Sequence, residues 1–526
     1  MSAPWLPGLP LIFIDDAVSR WATLIVLAVA AILGTYAAGD PELRTGRFRF
    51  WTVYALFAFA AIAFAHASGL LTSYVLWEAM SACSFFLIAQ RLDEDVVAAS
   101  VRALTTTRLG DLLLLIGAGA IAAGHPQVGL IGALAGAAIK SGQLGATPWL
   151  VGAMVAPTPV SALLHSATLV AAGPYLLARL APQLAVFPNL LAALAIYAVI
   201  SAFAGALFAA TSNDAKRTLA WSTSEQLAQA TLATAAGAPF AGLAVLAGHA
   251  LAKPLLFIAA GYLRAATGST RYDAASREGR RVGAFVAATV VGAAALVGIP
   301  PFLSSWGLAS TWSAVATARP PLLIAGLAIS ALSGWYATRF ALLLLPDVNR
   351  PFARAALRPP LRAAAWLGIT LALAVSIGVI RFRVDLESLA LPILALSGGA
   401  LAVAARRTTL LTAGFAFPEG IAWWDRTFSA PARAAGTLLD RCDRALLAGA
   451  HFLATATLRI GRRAAAVDDR LDRDTTELGR GLLAGGRRAA AVVVGDISRY
   501  VAYTAVGLAL AAAVIAAVLA TARGFA

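Results

Sequence analysis

Lysine is almost absent from this chain of 526 residues, and arginine supplies nearly all of its positive charge. The three lysines, Lys140, Lys216 and Lys253, lie in or at the edge of long apolar stretches. A guanidinium stays protonated, whereas a desolvated ammonium can release its proton. The distribution indicates that lysine is kept where losing a proton matters; the alternative is that arginine-rich codon usage left three lysines by chance.

Cysteine and charge are also scarce. Cys83 lies in an apolar segment and Cys442 in a polar one, which argues against a disulfide framework and against a metal cluster. Only 13% of residues are charged, 60% are hydrophobic, and the mean hydropathy is +0.79. These values exclude an ordinary soluble domain. The net charge of +15 does not indicate nucleic-acid binding, because no nucleic-acid motif accompanies it.

Apolar runs long enough to cross a bilayer recur along most of the chain. They predict an all-α polytopic membrane protein with about 14 transmembrane helices. The predicted spans are 21–38, 51–71, 73–90, 109–124, 127–147, 159–181, 188–211, 219–236, 239–263, 282–299, 321–345, 362–380, 388–405 and 497–522.

Arginine is concentrated in alternate loops, which the positive-inside rule places in the cytoplasm of a bacterial cell, with both termini outside its inner membrane. No signal peptide is expected, since no basic segment precedes the first short apolar run. Residues 1–405 are predicted to form one transmembrane body. The Arg-rich residues 406–496 are expected to form an amphipathic lateral helix on the cytoplasmic membrane surface, and 497–526 an anchor helix.

Prolines mark two interruptions that resemble broken helices. Pro148, Pro157 and Pro159 mark the first, and Pro300 and Pro301 mark the second. Discontinuous helices at corresponding places in two halves of a chain indicate inverted repeats with an ion path near the middle of the membrane. The alternative is a pair of ordinary loops that contain proline.

Ionisable side chains inside predicted spans are the candidate functional residues, because such groups are costly in a membrane. They are Glu78, Lys140, His165, Lys216, His249 and Lys253. A row of titratable groups without a nucleotide loop, metal cluster or nucleophile triad favours proton conduction over bond-making chemistry. Static roles are the alternatives: interhelical hydrogen bonding for the histidines, pairing with Arg108 or Lys140 for Glu78, and snorkelling of Lys216 from a helix end.

Residues 140–173 closely resemble one family, the antiporter-like membrane subunits. The stretch contains KSGQ at 140–143 and MVAPTPVSALLHSATLVAAG at 154–173. The family includes the L subunit of complex I, the large subunit of Mrp antiporters and the membrane subunits of energy-converting hydrogenases. Further stretches resemble it in the same order, at 77–78, 107–111, 214–223, 249–257 and 298–302.

The resemblance implies a proton path. Glu78 and Lys140 would form a charge pair supported by Arg108 and Asp111; Lys216, His249 and Lys253 would continue a polar axis that His165 modulates. It also implies a translocase subunit of the NADH:quinone oxidoreductase type, with no cofactor or redox centre of its own. Other membrane subunits of a multisubunit complex, together with lipid, would be its partners.

Three departures point to a divergent, N-terminally short member of the family. After the second break the family usually has a Ser-Lys-acid run, whereas residues 304–309 read SSWGLA here. Val245 stands where the family has a second histidine, and the chain begins late. Three alternatives stay open: the membrane subunit of a two-component inorganic-carbon transporter, a non-conducting structural subunit, and sodium in place of the proton.

Overall fold

The computed structural model describes residues 2–403, except for 7–8, 45, 92, 276–282, 345–358, 380–394 and 402. All of these residues belong to one compact unit, Met1–Glu419, and the second unit, Gly420–Ala526, lies outside the described residues. The predicted lateral helix region and anchor therefore also lie outside the described residues. Of the predicted span 388–405, residues 395–401 are described and are helical.

Helices make up most of the described chain. The α-helices are α1 (Ala17–Gly39), α2 (Arg47–Ala65), α3 (Leu70–Ile88), α4 (Glu94–Ala122), α5 (Pro126–Lys140), α6 (Thr147–Gly152), α7 (Thr158–Ser166), α8 (Ala172–Arg179), α9 (Ala181–Leu184), α10 (Pro188–Thr211), α11 (Ala215–Ala235), α12 (Pro239–Thr267), α13 (Tyr272–Ala275), α14 (Gly283–Leu296), α15 (Leu303–Ala318), α16 (Leu323–Leu344) and α17 (Pro359–Val379). Short 3-10 helices occupy Pro41–Leu43, Ala153–Val155 and Pro320–Leu322.

A small β-hairpin precedes the helices and departs from the all-helical prediction. Strands β1 (Ser2–Leu6) and β2 (Leu9–Ile12) pair antiparallel, with Ser2 opposite Ile12. The segment has prolines at positions 4, 7 and 10, and proline spacing this close prevents a helix. The Ile12 carbonyl accepts a hydrogen bond of 2.8 Å from the Ser68 backbone N–H, so the hairpin is tied to the turn after α2.

Several helices are long and apolar enough to span a membrane. Among the described residues seven helices meet this criterion: α1, α2, α3, α4, α10, α12, and α16 together with the preceding 3-10 turn. Shorter apolar helices lie at Ala284–Leu296 and Pro360–Ser376. The chain is thus a mostly helical protein with multiple membrane-spanning helices.

The first predicted interruption is wider than the sequence indicated. Helix α5 ends at Lys140 and not at 147, because Gly142 and Gly145 adopt φ values of +58° and +101°, which a helix cannot contain. Pro148 lies in the first turn of α6, Pro157 caps α7, and Pro159 lies in its first turn. The predicted span 159–181 is also divided, between α7 and α8.

The second interruption contains a helix that the hydropathy pattern missed. Helix α14 ends at Leu296, a turn containing Gly298, Pro300 and Pro301 follows, and α15 then begins. Serine and threonine side chains along α15 lower its hydropathy, so no span was predicted there. Helix α15 packs closely on α12, since a Cβ at Gly248 would lie 2.7 Å from the Ser304 backbone nitrogen.

Helix α11 is polar and yet lies in the interior. All of its residues except Arg217 are buried, although serine, threonine, glutamine and one glutamate recur along it. Asp214 caps its start by accepting a hydrogen bond of 3.0 Å from the Arg217 backbone N–H. Helices α10, α12 and α15 pack around it. Polar groups that are enclosed by apolar helices need partners within the protein, and α11 therefore organises the polar interior.

Candidate functional site

Lys140, the last residue of α5, is fully buried in a cluster of polar side chains. Its Nζ lies 2.9 Å from Oδ1 of Asp111, and it also donates a hydrogen bond to the Ser81 hydroxyl. The indole Nε1 of Trp77 donates to the same carboxylate oxygen at 2.6 Å. Asp111 is 1% exposed, so this ion pair is shielded from solvent. A buried ammonium and carboxylate in direct contact are strongly coupled.

Glu78 belongs to the same cluster but pairs with Arg108, not with Lys140. Nη1 of Arg108 also lies 3.8 Å from Oδ2 of Asp111. The expected Glu78–Lys140 pair is therefore not formed. Its absence follows from the position of α4, which packs between α3 and α5 and presents Arg108 and Asp111 one turn apart to the two neighbours. The result is an alternating row of charges: Glu78, Arg108, Asp111 and Lys140.

Glycines bring α4 and α5 close enough for this row to form. A Cβ at Gly117 would lie 2.6 Å from the carbonyl oxygen of Gly129, and one at Gly136 would lie 2.8 Å from that of Gly110. Neither position leaves room for a side chain against the facing backbone. The close approach carries the end of α5, and with it Lys140, to Asp111.

Lys216 lies at the start of α11 and is buried, with 2% exposure. Its Nζ donates hydrogen bonds of 2.7 Å to the carbonyl oxygens of both Met154 and Ala156. These carbonyls come at the end of the first broken segment, where the helix stops and Pro157 offers no N–H. Lys216 does not snorkel to the membrane surface, because its ammonium donates to carbonyl groups at the end of another helical segment.

His249 and Lys253 lie one turn apart on α12. His249 Nε2 is 3.0 Å from the carbonyl oxygen of His165. Nζ of Lys253 donates to the Leu219 carbonyl and to the Ser222 hydroxyl, each at 2.6 Å. Among the described residues no carboxylate lies within ion-pair distance of Lys253. This ammonium is thus held by neutral oxygens alone.

His165 lies at the end of α7, and its ring packs against Phe257 with 5.8 Å between centroids. Neither ring nitrogen has a hydrogen-bond partner among the described residues, although the residue is fully buried. Both ring nitrogens are thus without a hydrogen bond to the part of the chain that the structure describes. The static interhelical hydrogen bond considered for this side chain is not formed within the described chain.

Glu225, in the middle of α11, is a fully buried acid that sequence reasoning missed. Its carboxylate accepts hydrogen bonds from Tyr336 at 2.8 Å, from Ser333 at 3.1 Å and from Gln226 at 3.0 Å, and also from Gln229. The signal was present in the sequence. Glu225 is an acid inside the predicted span 219–236, and the rule that singled out Glu78 applies equally to it.

Helix α11 carries or contacts three of these groups along its length. Lys216 begins the series, Lys253 contacts the next turn, and Glu225 follows. Ser224 connects the helix to the first break through two hydrogen bonds. Its hydroxyl donates to the Gly142 carbonyl at 2.8 Å, and the Gln143 side-chain amide donates to the Ser224 carbonyl at 3.3 Å. The two halves of the polar interior therefore meet on one helix.

The described residues contain no group of three or more histidine, cysteine, aspartate or glutamate side chains arranged to hold a metal ion. The polar interior consists instead of acids, amines, hydroxyls and imidazoles connected in short steps. Such groups bind and release protons.

The chain matches a family model described as NADH:quinone oxidoreductase/Mrp antiporter, transmembrane, at residues 67–125 and 121–333. It is 32% identical over 362 residues to an NAD(P)H-quinone oxidoreductase chain 5 from Synechocystis sp., an alignment that covers 62% of this chain and 53% of the relative. The chloroplastic NAD(P)H-quinone oxidoreductase subunit 5 of Glycine max is 29% identical over 329 residues, covering 56% and 44%. The chain thus spans about half the length of these relatives.

Two solved structures are similar in fold. The structure of an Mrp complex from Dietzia sp. DQ12-45-1b superposes with a TM-score of 0.69 and 25% identity, covering 94% of this chain and 57% of that one. An archaeal respiratory complex, the membrane-bound sulfane sulfur reductase, gives a TM-score of 0.63 at 18% identity, covering 76% and 86%. The second likeness concerns the fold alone.

Proposed function

The chain belongs to the NADH:quinone oxidoreductase/Mrp antiporter transmembrane family, and we propose that it is a proton-translocating membrane subunit of a multisubunit, redox-driven complex in a bacterial inner membrane. The observation that carries this proposal is the series of buried ionisable groups inside the helical core, from Glu78 to Lys253. Burying so many charges costs free energy, and ionisable groups inside membrane-spanning helices are therefore taken as functional by default. The names of the quinone oxidoreductase relatives support a redox-driven complex.

The proton path we propose begins at the alternating row of charges. Asp111 holds the Lys140 ammonium by direct contact, and Arg108 lies 3.8 Å from the other oxygen of Asp111. A shift of Asp111 toward Arg108 would leave Lys140 without its counterion. At about 4 Å and an effective dielectric constant of about 20, such a pair is worth about 4 kcal/mol. Losing that interaction would favour release of the Lys140 proton, by electrostatic coupling and not by covalent chemistry.

Lys216, His165, His249 and Lys253 continue the path. Each is buried, and each contacts α11 or the first break. His165, with both ring nitrogens available for water, would relay protons between the break and Lys253. The chain would hold no redox centre, and conformational or electrostatic changes in partner membrane subunits would drive it.

We also propose an arrangement for the transmembrane body and for the residues that follow it. The two broken regions, at α5–α8 and α14–α15, are proposed to be corresponding elements of two inverted repeats within a body of about 14 transmembrane helices. Residues 1–405 would form that body, with its Arg-rich loops on the cytoplasmic side. Residues 406–496 would form the lateral helix that contacts neighbouring subunits, and 497–526 would form its anchor.

Proton uptake into energised membrane vesicles that carry the native complex tests this function, with Lys140→Ala compared with the unchanged chain. Arg20→Ala, which removes a charge that is 65% exposed at the surface, is the matched control. We expect Lys140→Ala to abolish most uptake while the complex assembles and the control pumps normally. Normal uptake in an assembled Lys140→Ala complex would overturn the proposal.

The same vesicles separate the alternatives. Uptake of labelled sodium that persists when the proton gradient is collapsed would favour sodium transport. Accumulation of labelled bicarbonate without electron transfer would favour inorganic-carbon transport. A complex that fails to assemble without the chain, yet shows unchanged uptake with Lys140→Ala, would favour a structural subunit.

A further inference from the structure

Glu225 is fully buried, and the proton path proposed above does not use it. It lies on α11 three residues after Ser222, whose hydroxyl is 2.6 Å from Nζ of Lys253. Residues three apart share a helix face and differ in height by about 4.5 Å. The Lys253 ammonium therefore contacts α11 about one turn before Glu225. No carboxylate among the described residues lies in direct ion-pair contact with Lys253, which leaves Glu225 as the acid on the helix that Lys253 contacts.

The surroundings of Glu225 are unusual for a structural acid. Tyr336 and Ser333 of α16 and the amides of Gln226 and Gln229 donate to it, and all four are neutral. A buried carboxylate surrounded only by neutral donors is costly, because no cation in contact balances its charge. Hydroxyl groups can rotate from donating to accepting, so the same site also fits the protonated acid.

The hydrogen bonds of Glu225 lead away from Lys253. Tyr336 and Ser333 lie on α16, and Gln229 accepts a hydrogen bond of 3.0 Å from the indole of Trp312 on α15. Helix α15 itself carries no ionisable residue. Glu225 is therefore the described acid whose hydrogen bonds connect α11, which Lys253 contacts, with α16 and, through Gln229, with α15.

We propose that Glu225 is a proton-carrying residue that exchanges a proton with Lys253 and passes it toward α16; this inference rests on the proposed function. In the first step the Lys253 ammonium gives its proton to the Glu225 carboxylate, leaving a neutral amine and a neutral carboxylic acid. In the second step the acid releases the proton along the Tyr336 and Ser333 hydroxyls, and Lys253 takes up another proton from the His249 side. No electrons move, and the net charge of the pair is zero before and after the first transfer.

Two substitutions separate a proton carrier from a static hydrogen-bond acceptor. Glu225→Gln keeps the length and much of the hydrogen bonding but cannot carry a proton, whereas Glu225→Asp keeps the acid and shortens its reach. Asp273→Asn, at an acid that is 56% exposed, is the control for losing a carboxylate. The readout is proton uptake per electron transferred in vesicles with assembled native complex.

A proton-carrying role predicts that Glu225→Gln lowers uptake at least about tenfold, since a positioned group in proton transfer contributes about 100-fold or more. Glu225→Asp should retain more uptake than Glu225→Gln. The reverse order, with Gln the milder change, would overturn the inference, because a static acceptor depends on length and not on acidity. Infrared difference spectra give a second readout, in which a carboxylic acid band appears or shifts on energisation and is absent in Glu225→Gln.

Lys140→Ala, run in parallel, separates this inference from the proposed function. Loss of uptake with Lys140→Ala and normal uptake with Glu225→Gln would overturn only the role of Glu225. Normal uptake with both variants would overturn the proposed function itself.

Discussion

Two lysines in this molecule are buried to the same extent in different surroundings. Lys140 lies against Asp111 in a row of two acids and two bases. Within the described ranges, the partners of the Lys253 ammonium are the Leu219 carbonyl and the Ser222 hydroxyl. The first ammonium belongs to a balanced group in which every charge depends on its neighbour. The second can lose its proton without leaving an opposite charge in direct contact. The comparison separates a buried ammonium that is balanced by a carboxylate in direct contact from one that is not.

The largest expected effect comes from replacing each lysine with methionine, which has a similar volume. Lys140→Met leaves the buried Asp111 with only the more distant Arg108, 3.8 Å away, and breaking a buried pair from one side costs about 3–5 kcal/mol. Lys253→Met removes one donor to the Leu219 carbonyl, which still accepts a hydrogen bond of 2.8 Å from the Thr223 hydroxyl. The expected cost in stability is therefore below about 1 kcal/mol. Thermal unfolding of the detergent-solubilised complex measures both. Equal destabilisation by the two substitutions would show that the lysines are held in equivalent ways.

The pairing within the first cluster is tested by comparing the two acids. Asp111→Asn removes the acid that contacts Lys140 within the described part of the chain, so we expect destabilisation of about 3 kcal/mol or more. Glu78→Gln leaves Arg108 with Asp111 still 3.8 Å away, and a smaller cost is expected. Thermal unfolding of both variants gives the order. A larger effect of Glu78→Gln would indicate that Glu78 is the counterion of Lys140, as the family resemblance implied.

The close packing of α4 on α5 gives a test of intermediate size. The added methyl of Gly117→Ala would meet the Gly129 carbonyl, and overpacking of this kind costs about 1–3 kcal/mol. Gly152→Ala is the matched control, because a Cβ there meets nothing within 4 Å. Proton uptake should fall with Gly117→Ala, since Lys140 moves away from Asp111, and stay normal with the control. Unchanged uptake and stability in Gly117→Ala would show that the helices tolerate a wider spacing.

The smallest effect concerns an ion pair outside the spans, where solvent weakens the interaction. Burial raises the pKa of Asp16, but the Ser19 backbone N–H and Arg179, 2.6 Å away, outweigh it, so the pKa is lowered overall. A lowered folded-state pKa adds stability above the unfolded value of about 3.9, and that stability is lost as the pH falls below it. Asp16→Asn should cost less than about 1 kcal/mol at pH 7 and should flatten the acid limb of the stability profile. An unchanged profile would show that the pair contributes nothing.

Much of the membrane body could be predicted from the sequence, because apolar length alone identifies a spanning helix. α10 was predicted with its observed limits, 188–211. α15 was missed because its serines and threonines lower its hydropathy, which does not register that Thr311 and Thr317 donate hydrogen bonds to carbonyls of the same helix. The end of α5 was placed late because residues 141–147 contain neither a charged residue nor a proline to mark a boundary. Two glycines with positive φ end that helix, and their conformation depends on the tertiary contacts around them.

The burial of the candidate residues could be predicted from the sequence, but their pairings could not. Charges inside spans identified Lys140, Lys253 and Glu78, since burial of a charge is unusual wherever it occurs. Which acid contacts Lys140 depends on how α4 sits between its neighbours, and single-sequence patterns carry no such information. Glu225 could have been found by applying the same rule consistently.

The central claim is that buried lysines in this core carry protons. The most direct test is the number of protons translocated per electron in the native complex with Lys253→Met, a change that should leave the fold intact. The account predicts that electron transfer continues and that the ratio of protons to electrons falls. An assembled Lys253→Met complex with an unchanged ratio would contradict it.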